Sequence, residues 1–238
     1  MKKIIGILSV VILQGCGSEL LYTTNNIPIP LVQKQGETQI SGQYGTNGKS
    51  FNLVSSPLEH ISLSIAGNYD KVTINSNDFD TKKEDKNSHN YTEVAIGYFD
   101  NVSESIVGEA FVGYGRGDGM DQYYQRQEFS SIVHNNFGYG KYDKYFVQAN
   151  LGNKNNAITT GFAIRLSYVD FLELMKTSDG VTTFPSGKEA LFFEPALFGK
   201  IGGKNLQLEV EVMFPYTQKG IDFDYRNFVI STGLRFIF

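Results

Sequence analysis

Ten stretches of this chain alternate apolar and polar residues one for one, and the gaps between them alternate in length. The alternation marks strands, because successive side chains on a strand point to opposite faces. Four stretches show it plainly. In 205–215, Leu206, Leu208, Val210, Val212 and Phe214 share one face, opposite Gln207, Glu209, Glu211 and Met213. Residues 60–71, 158–171 and 228–238 follow the same rule, the last ending on Leu234, Phe236 and Phe238. Six weaker stretches are 37–45, 51–56, 91–100, 105–115, 142–152 and 190–200. Pro195 inside the last predicts a bulge, since proline cannot donate to the ladder.

The connections after odd-numbered stretches are residues 46–50, 72–90, 116–141, 172–189 and 216–227. Those after even-numbered ones are 57–59, 101–104, 153–157 and 201–204. Four of the first five are long, and every one of the second set is short. Transmembrane barrels have this rhythm, with short periplasmic turns and long outer loops. The fold expected over 37–238 is therefore all-β, a ten-stranded antiparallel up-and-down transmembrane β-barrel. Eight strands or twelve are the alternatives, twelve if an extra hairpin forms in 126–141. An even count places both ends of the barrel on the periplasmic side.

A closed sheet satisfies every backbone polar group inside hydrocarbon and leaves no edge. The apolar faces would then meet lipid, with Tyr44, Tyr69, Tyr98, Tyr114 and Tyr168 near strand ends as interfacial girdles. The opposite faces carry Glu93, Glu109, Arg165, Glu194, Lys200, Glu209, Glu211 and Arg235. A cation facing lipid costs about 2–4 kcal/mol near the midplane, so these charges belong in the lumen. Glu93, Glu109, Arg165, Glu194, Glu209, Glu211 and Arg235 are expected to form a lumen charge network. Within it, Arg165, Glu194, Glu209 or Glu211, and Arg235 suggest a cross-strand ladder of alternating sign. A barrel of this size has little room beyond its own side chains, so a largely closed lumen is expected.

The chain opens Met1-Lys2-Lys3 and continues with an apolar run from Ile4 to Leu13. That run is too short for a membrane-spanning helix, which needs about 20 residues, and it fits a cleaved export signal over 1–15. Leu13-Gln14-Gly15-Cys16 resembles the lipobox of bacterial lipoproteins, which implies a covalent lipid on Cys16. Cys16 is the only cysteine, so no internal disulfide forms. Residues 16–36, mostly polar and containing Pro28 and Pro30, are expected as a lipid-anchored tether with a periplasmic N-terminus.

Asn26-Ile27-Pro28-Ile29-Pro30-Leu31, Lys34-Gln35-Gly36-Glu37 and Gln39-Ile40-Ser41-Gly42-Gln43-Tyr44 together resemble the small outer-membrane β-barrel lipoproteins of Bacteroidetes-type bacteria. The resemblance implies a fold and a bacterial outer-membrane location, with the barrel-insertion machinery as an assembly partner. It implies no activity.

A net charge of −4 gives no basic patch for nucleic acid. Arg116-Gly117-Asp118 spells an integrin-binding tripeptide, and it lies in a Gly-rich run in the longest predicted outer loop. His60, His89 and His134 lack metal-ligand spacing, and no cofactor motif is present. Two further readings stay open. One is a soluble lipocalin-like periplasmic carrier, with its apolar face inward. The other is an outer-rim hydrolase pairing His134 with Asp121 or His89 with Asp85. The favoured expectation is a non-enzymatic structural or surface-interaction protein.

Overall fold

The computed structural model describes residues 20–78, 81–127, 133–154, 157–217, 221 and 223–238. The predicted signal segment and Cys16 lie outside the described residues. The elements are β1 (Leu20–Tyr22), β2 (Thr38–Gly45), β3 (Gly48–Leu58), β4 (Ile61–Asp78), β5 (Thr81–Asn101), β6 (Ile106–Gln127) and β7 (Val133–Lys154). There follow β8 (Ile158–Ser178), β9 (Val181–Thr183), β10 (Glu189–Gly202), β11 (Leu206–Met213), β12 (Tyr216–Thr217), β13 (Asp224–Tyr225) and β14 (Val229–Ile237). Ten of them close into an antiparallel barrel, in the order β2-β3-β4-β5-β6-β7-β8-β10-β11-β14, with β14 pairing back onto β2. β9 folds back on β8, β12 adds two residues along β10, and β1 pairs in parallel with β13.

The exterior is apolar and the interior polar. Leu206, Leu208, Val210 and Phe236 are 46%, 46%, 41% and 46% exposed, while Glu209 and Arg235 beside them are 3% and 2% exposed. A water-soluble barrel needs the reverse. The fold is that of a transmembrane β-barrel.

The turn ends of the strands fall where the alternation begins. The hairpin ends do not. β4 to β8 run 18 to 22 residues, about twice the 9–11 that cross a bilayer. β2, β11 and β14 have only 8, 8 and 9. Residues 72–90, 116–141 and 172–189, expected as loops, are thus largely ladder. Val72 pairs with Asn87, Arg116 with Asp143, and Gly140 with Leu174. The cause is solvent. Beyond the bilayer the outer face meets water, so its apolar requirement lapses while the backbone pairing continues. The bulge expected at Pro195 is also absent. β10 keeps register with β8 through Glu194↔Arg165, Pro195↔Ile164 and Ala196↔Ala163. On its other edge Pro195 falls between the β12 pairing, which ends at Phe193, and the β11 pairing, which begins at Ala196. Its missing N–H therefore breaks no bond there.

The largest departure concerns the tether. Leu21 through Val32 are buried inside the barrel. Leu21 lies against Gly119 and Gly138, far up β6 and β7. Leu31 lies against Gly152, and Val32 donates to Glu109, both near the turn end. Residues 34–37 then bend, and Thr38 begins the wall beside Phe238. The segment therefore runs the length of the lumen. Residues 21–32 of the segment expected as a tether over 16–36 thus fill the lumen, and its start lies outside the described residues. Both termini of the barrel wall sit at the turn end, but Leu20 sits at the hairpin end. An apolar stretch, Ile27-Pro28-Ile29-Pro30-Leu31, avoids water more fully inside the barrel than outside it.

Candidate functional site

The lumen is layered around this threaded segment. At the hairpin end, Leu21 and Tyr22 pack with Tyr91, Tyr142, Phe171, Phe192 and Phe223. Tyr22 meets Phe192 at 4.7 Å and Tyr142 at 5.2 Å between ring centroids. At the turn end, Ile27, Ile29 and Leu31 pack with Val107, Ala196, Phe198, Met213 and Val229. The period-two glycines of β6 make room for this. A Cβ on Gly117 would stand 2.6 Å from the Tyr142 ring, and one on Gly119 would stand 2.3 Å from the Leu21 carbonyl oxygen. The Gly-rich run from Gly113 to Gly119 is therefore a packing device in a strand.

Between the apolar layers lie ion pairs. Arg165 donates to both oxygens of Glu93, at 3.0 and 2.9 Å, and to Gln148 at 2.7 Å. Tyr91 donates to Glu93 at 2.9 Å, and the guanidinium lies 4.0 Å from the centroid of the Phe146 ring. Lys144 donates to Glu194 at 3.0 Å, as does Ser167 at 3.1 Å. Arg235 donates to Glu209 at 2.8 Å and to Gln39 at 2.8 Å. Buried charges persist only when paired and hydrogen-bonded, and these are.

Three other charges grip the backbone of the threaded segment. The Val32 N–H donates to Glu109 at 2.8 Å, and the Ile27 N–H donates to Glu211 at 3.0 Å. Lys200 donates to the Ile29 carbonyl. Gln148 adds a bond to the Pro28 carbonyl at 2.7 Å. Pro28 and Pro30 bring no N–H that the lumen would have to satisfy. A cavity of about 20 Å³ remains, lined in part by Asn26, Gln43, Ser50 and Glu93. That is room for about one water.

The seven residues assigned to a charge network, Glu93, Glu109, Arg165, Glu194, Glu209, Glu211 and Arg235, all sit buried in the lumen. Their connections differ from the expected ladder. Glu194 is opposite Arg165 in register, yet its ion pair is with Lys144 and that of Arg165 is with Glu93. Glu93 offers Arg165 a two-bond fork, and it reaches past two intervening strands to do so. Of these seven residues, Glu209 and Arg235 alone form an ion pair with each other between adjacent strands as in a ladder. Sequence reasoning missed Lys144, Gln148 and Asn150, and the gripping role of Lys200. The signal was present as a surplus, since Glu109 and Glu211 have lumen positions but no cation opposite them in register.

The other motifs resolve simply. Arg116 pairs outward with Asp143 at 2.7 Å, Gly117 faces Tyr142, and Asp118 accepts from Asn90 at 3.2 Å. The tripeptide is thus flat ladder, without a loop tip. His89 is buried above the tyrosine girdle, with Nε2 2.6 Å from the Tyr142 hydroxyl. Burial, and then the nearby cations Lys144 and Arg226, push its pKa down to about 3. His134 pairs with Asp179 at 3.5 Å, and Asp121 accepts from Asn87. Neither acid–histidine pair expected of a rim hydrolase is formed.

The chain matches no protein-family model and no curated protein. Among solved structures, CarO of Acinetobacter baumannii is similar at 10% identity and a TM-score of 0.41, covering 84% of this chain and 97% of that one. The translocator domain of the autotransporter NalP from Neisseria meningitidis aligns at 8% identity and a TM-score of 0.43, covering 84% and 85%. LpxR from Salmonella typhimurium aligns at 9% identity and 0.37, covering 85% and 100%. At these values nothing about the lumen carries over from them.

Proposed function

We propose that this chain is a lipid-anchored bacterial outer-membrane barrel of structural or surface-interaction type. Its lumen is closed by its own N-terminal segment, and its long hairpins are presented to the outside. It is not an enzyme. The observation that carries this reading is the use of the wall's charges. Glu109, Glu211 and Lys200 are bonded to the backbone of the threaded segment, which supports a lumen filled by that segment. The ladders of β4 to β8 continue well past the length that crosses a bilayer, and binding surfaces are commonly carried by such scaffold-borne ends. A lipocalin-like carrier would need its apolar residues facing inward, and here they face out.

Planar-bilayer recording on the purified full-length chain tests the proposal. Quiet membranes are expected, with stable nanosiemens-scale steps only after residues 21–32 are deleted. Large steady steps from the intact protein would overturn the closed-lumen reading.

A further inference from the structure

The outer face of the long ladders turns apolar a second time above the membrane. Tyr114, Tyr145 and Tyr168 stand side by side in register and face outward, and the next outward row is Arg116, Asp143 and Asp170. That charged row marks where hydrocarbon ends. A second polar row follows, made of Asp118, Lys141 and Glu173. The row after it is Met120, Tyr139 and Met175, with Phe137 two residues beyond Tyr139 on the same face. Tyr139 lies six residues from Tyr145, which on a strand tilted by about 40° is a rise of about 15 Å. The bulge between β7 and β8 turns Leu172 outward, 47% exposed, and Phe184, just after β9, is 73% exposed. Tyr139, Leu172, Met175 and Phe184 line one cleft of about 240 Å³. Acyl chains do not reach this height, so the patch is apolar surface that a partner must cover. Its mixture of methionine and aromatic residues is that of an interface core.

Three observations name the partner. The patch covers about three strands by four residues, on the order of 200 Å², against about 800 Å² per partner in a stable interface. The remainder must come from the wall beneath, which only a partner standing in the same bilayer can touch. The polar rows below the patch are compensated in place, since Arg116 is bonded to Asp143 at 2.7 Å and Lys141 lies opposite Asp118 and Glu173. A second copy therefore brings no surplus charge to the contact. The outer face of β4 and β5 differs, with Lys71, Lys82 and Lys86 against Glu84, and would repel its own copy. Finally, two copies of a barrel share height and direction in a membrane, so a two-fold axis along the membrane normal sets identical rows against each other. We propose that this face pairs two copies of the chain side by side, with Met120, Phe137, Tyr139, Met175 and Phe184 at the contact. This deepens the surface-interaction reading above, on which it rests, and is independent of the closed lumen and of any lipid anchor.

The experiment uses the full chain in its own membranes, with a short bis-maleimide cross-linker. Tyr139→Cys tests the patch. Asn75→Cys is the matched control, six residues beyond Tyr69 on the outer face of β4. The unsubstituted chain, whose one cysteine is Cys16, serves as the blank. Heat-modifiable gel migration confirms that each barrel has folded, and mass spectrometry identifies each product. Tyr139→Cys is expected to give at least tenfold more homodimer than the control or the blank. Adding Met120→Glu to Tyr139→Cys should lower that yield fivefold or more while the barrel stays folded. A folded Tyr139→Cys chain that stays monomeric, or a control with an equal yield, would overturn the pairing. Cross-links to a different protein would also overturn it, while leaving the surface-interaction reading in place. Labelling of Tyr139→Cys by an impermeant maleimide on intact cells separates the two, because reaction only after permeabilisation would overturn the outward presentation of the hairpins.

Discussion

At the scale of single residues, the lumen is decided by charges that have no water to fall back on. Arg165 is held by Glu93 in a two-bond fork and by Gln148. Arg165→Leu leaves Glu93 buried without its cation, which costs about 3–5 kcal/mol. The double change R165L/E93L should recover most of that. Urea unfolding followed by loss of heat-modifiable migration would read both, and a double variant as weak as the single one would argue against a direct pair. Gly119→Val should fail differently, since its Cβ meets backbone, with the Leu21 carbonyl oxygen 2.3 Å away. The wall should still close, but the upper end of the threaded segment should become protease-sensitive.

His89 sets a pH limit. Its folded pKa is depressed to about 3 from an ordinary 6.5. Above about pH 6.5 the ring is neutral whether the chain is folded or unfolded, and its full contribution to stability is present. As pH falls from there toward 3, the unfolded chain takes up a proton that the folded one refuses. Stability is therefore lost, by at most about 1.4 kcal/mol per pH unit. Comparing unfolding midpoints of the wild type and His89→Leu between pH 7 and pH 4 should show a shallower slope in the variant. Parallel slopes would mean the ring is not held neutral.

At the scale of elements, the strand count and every turn-end boundary were legible in the sequence, and the hairpin ends were not. Leu63, Val94 and Leu208 must face lipid, so their polar neighbours must alternate with them. Lys82 to Lys86 have no such duty, because water surrounds the outer face there, and only the backbone pairing remains to define the strand. The extension is therefore removable. Deleting residues 75–84 joins Ile74 to Asp85 as a two-residue turn and closes the β4–β5 hairpin on the pair Thr73↔Lys86, and the membrane-crossing part should still insert and migrate as a folded barrel. Loss of the folded form would show that the extension is required for assembly.

At the scale of the whole molecule, the segment ahead of the barrel is its core. A reader of the sequence sees prolines and polar residues before the first strand and infers a linker. Ile27, Ile29, Leu31 and Val32 argue otherwise, since four aliphatic side chains in six residues are costly in a solvated tether. The wall carried the complementary signal in Glu109 and Glu211, acids that face the lumen with no cation opposite them in register. Neither half was decisive alone, because burial of the segment depends on a lumen that exists only once ten distant strands have closed. The polar wall and the apolar segment complete each other, and the molecule is built inside out around them.

That threading is most directly tested by site-specific photo-crosslinking within the folded chain. With p-benzoylphenylalanine in place of Tyr22, irradiation of membranes should yield intramolecular adducts at Tyr142, Phe192 or Phe223, the ring neighbours of Tyr22. Adducts confined to lipid, to other proteins, or to the turn end of the barrel would contradict the account.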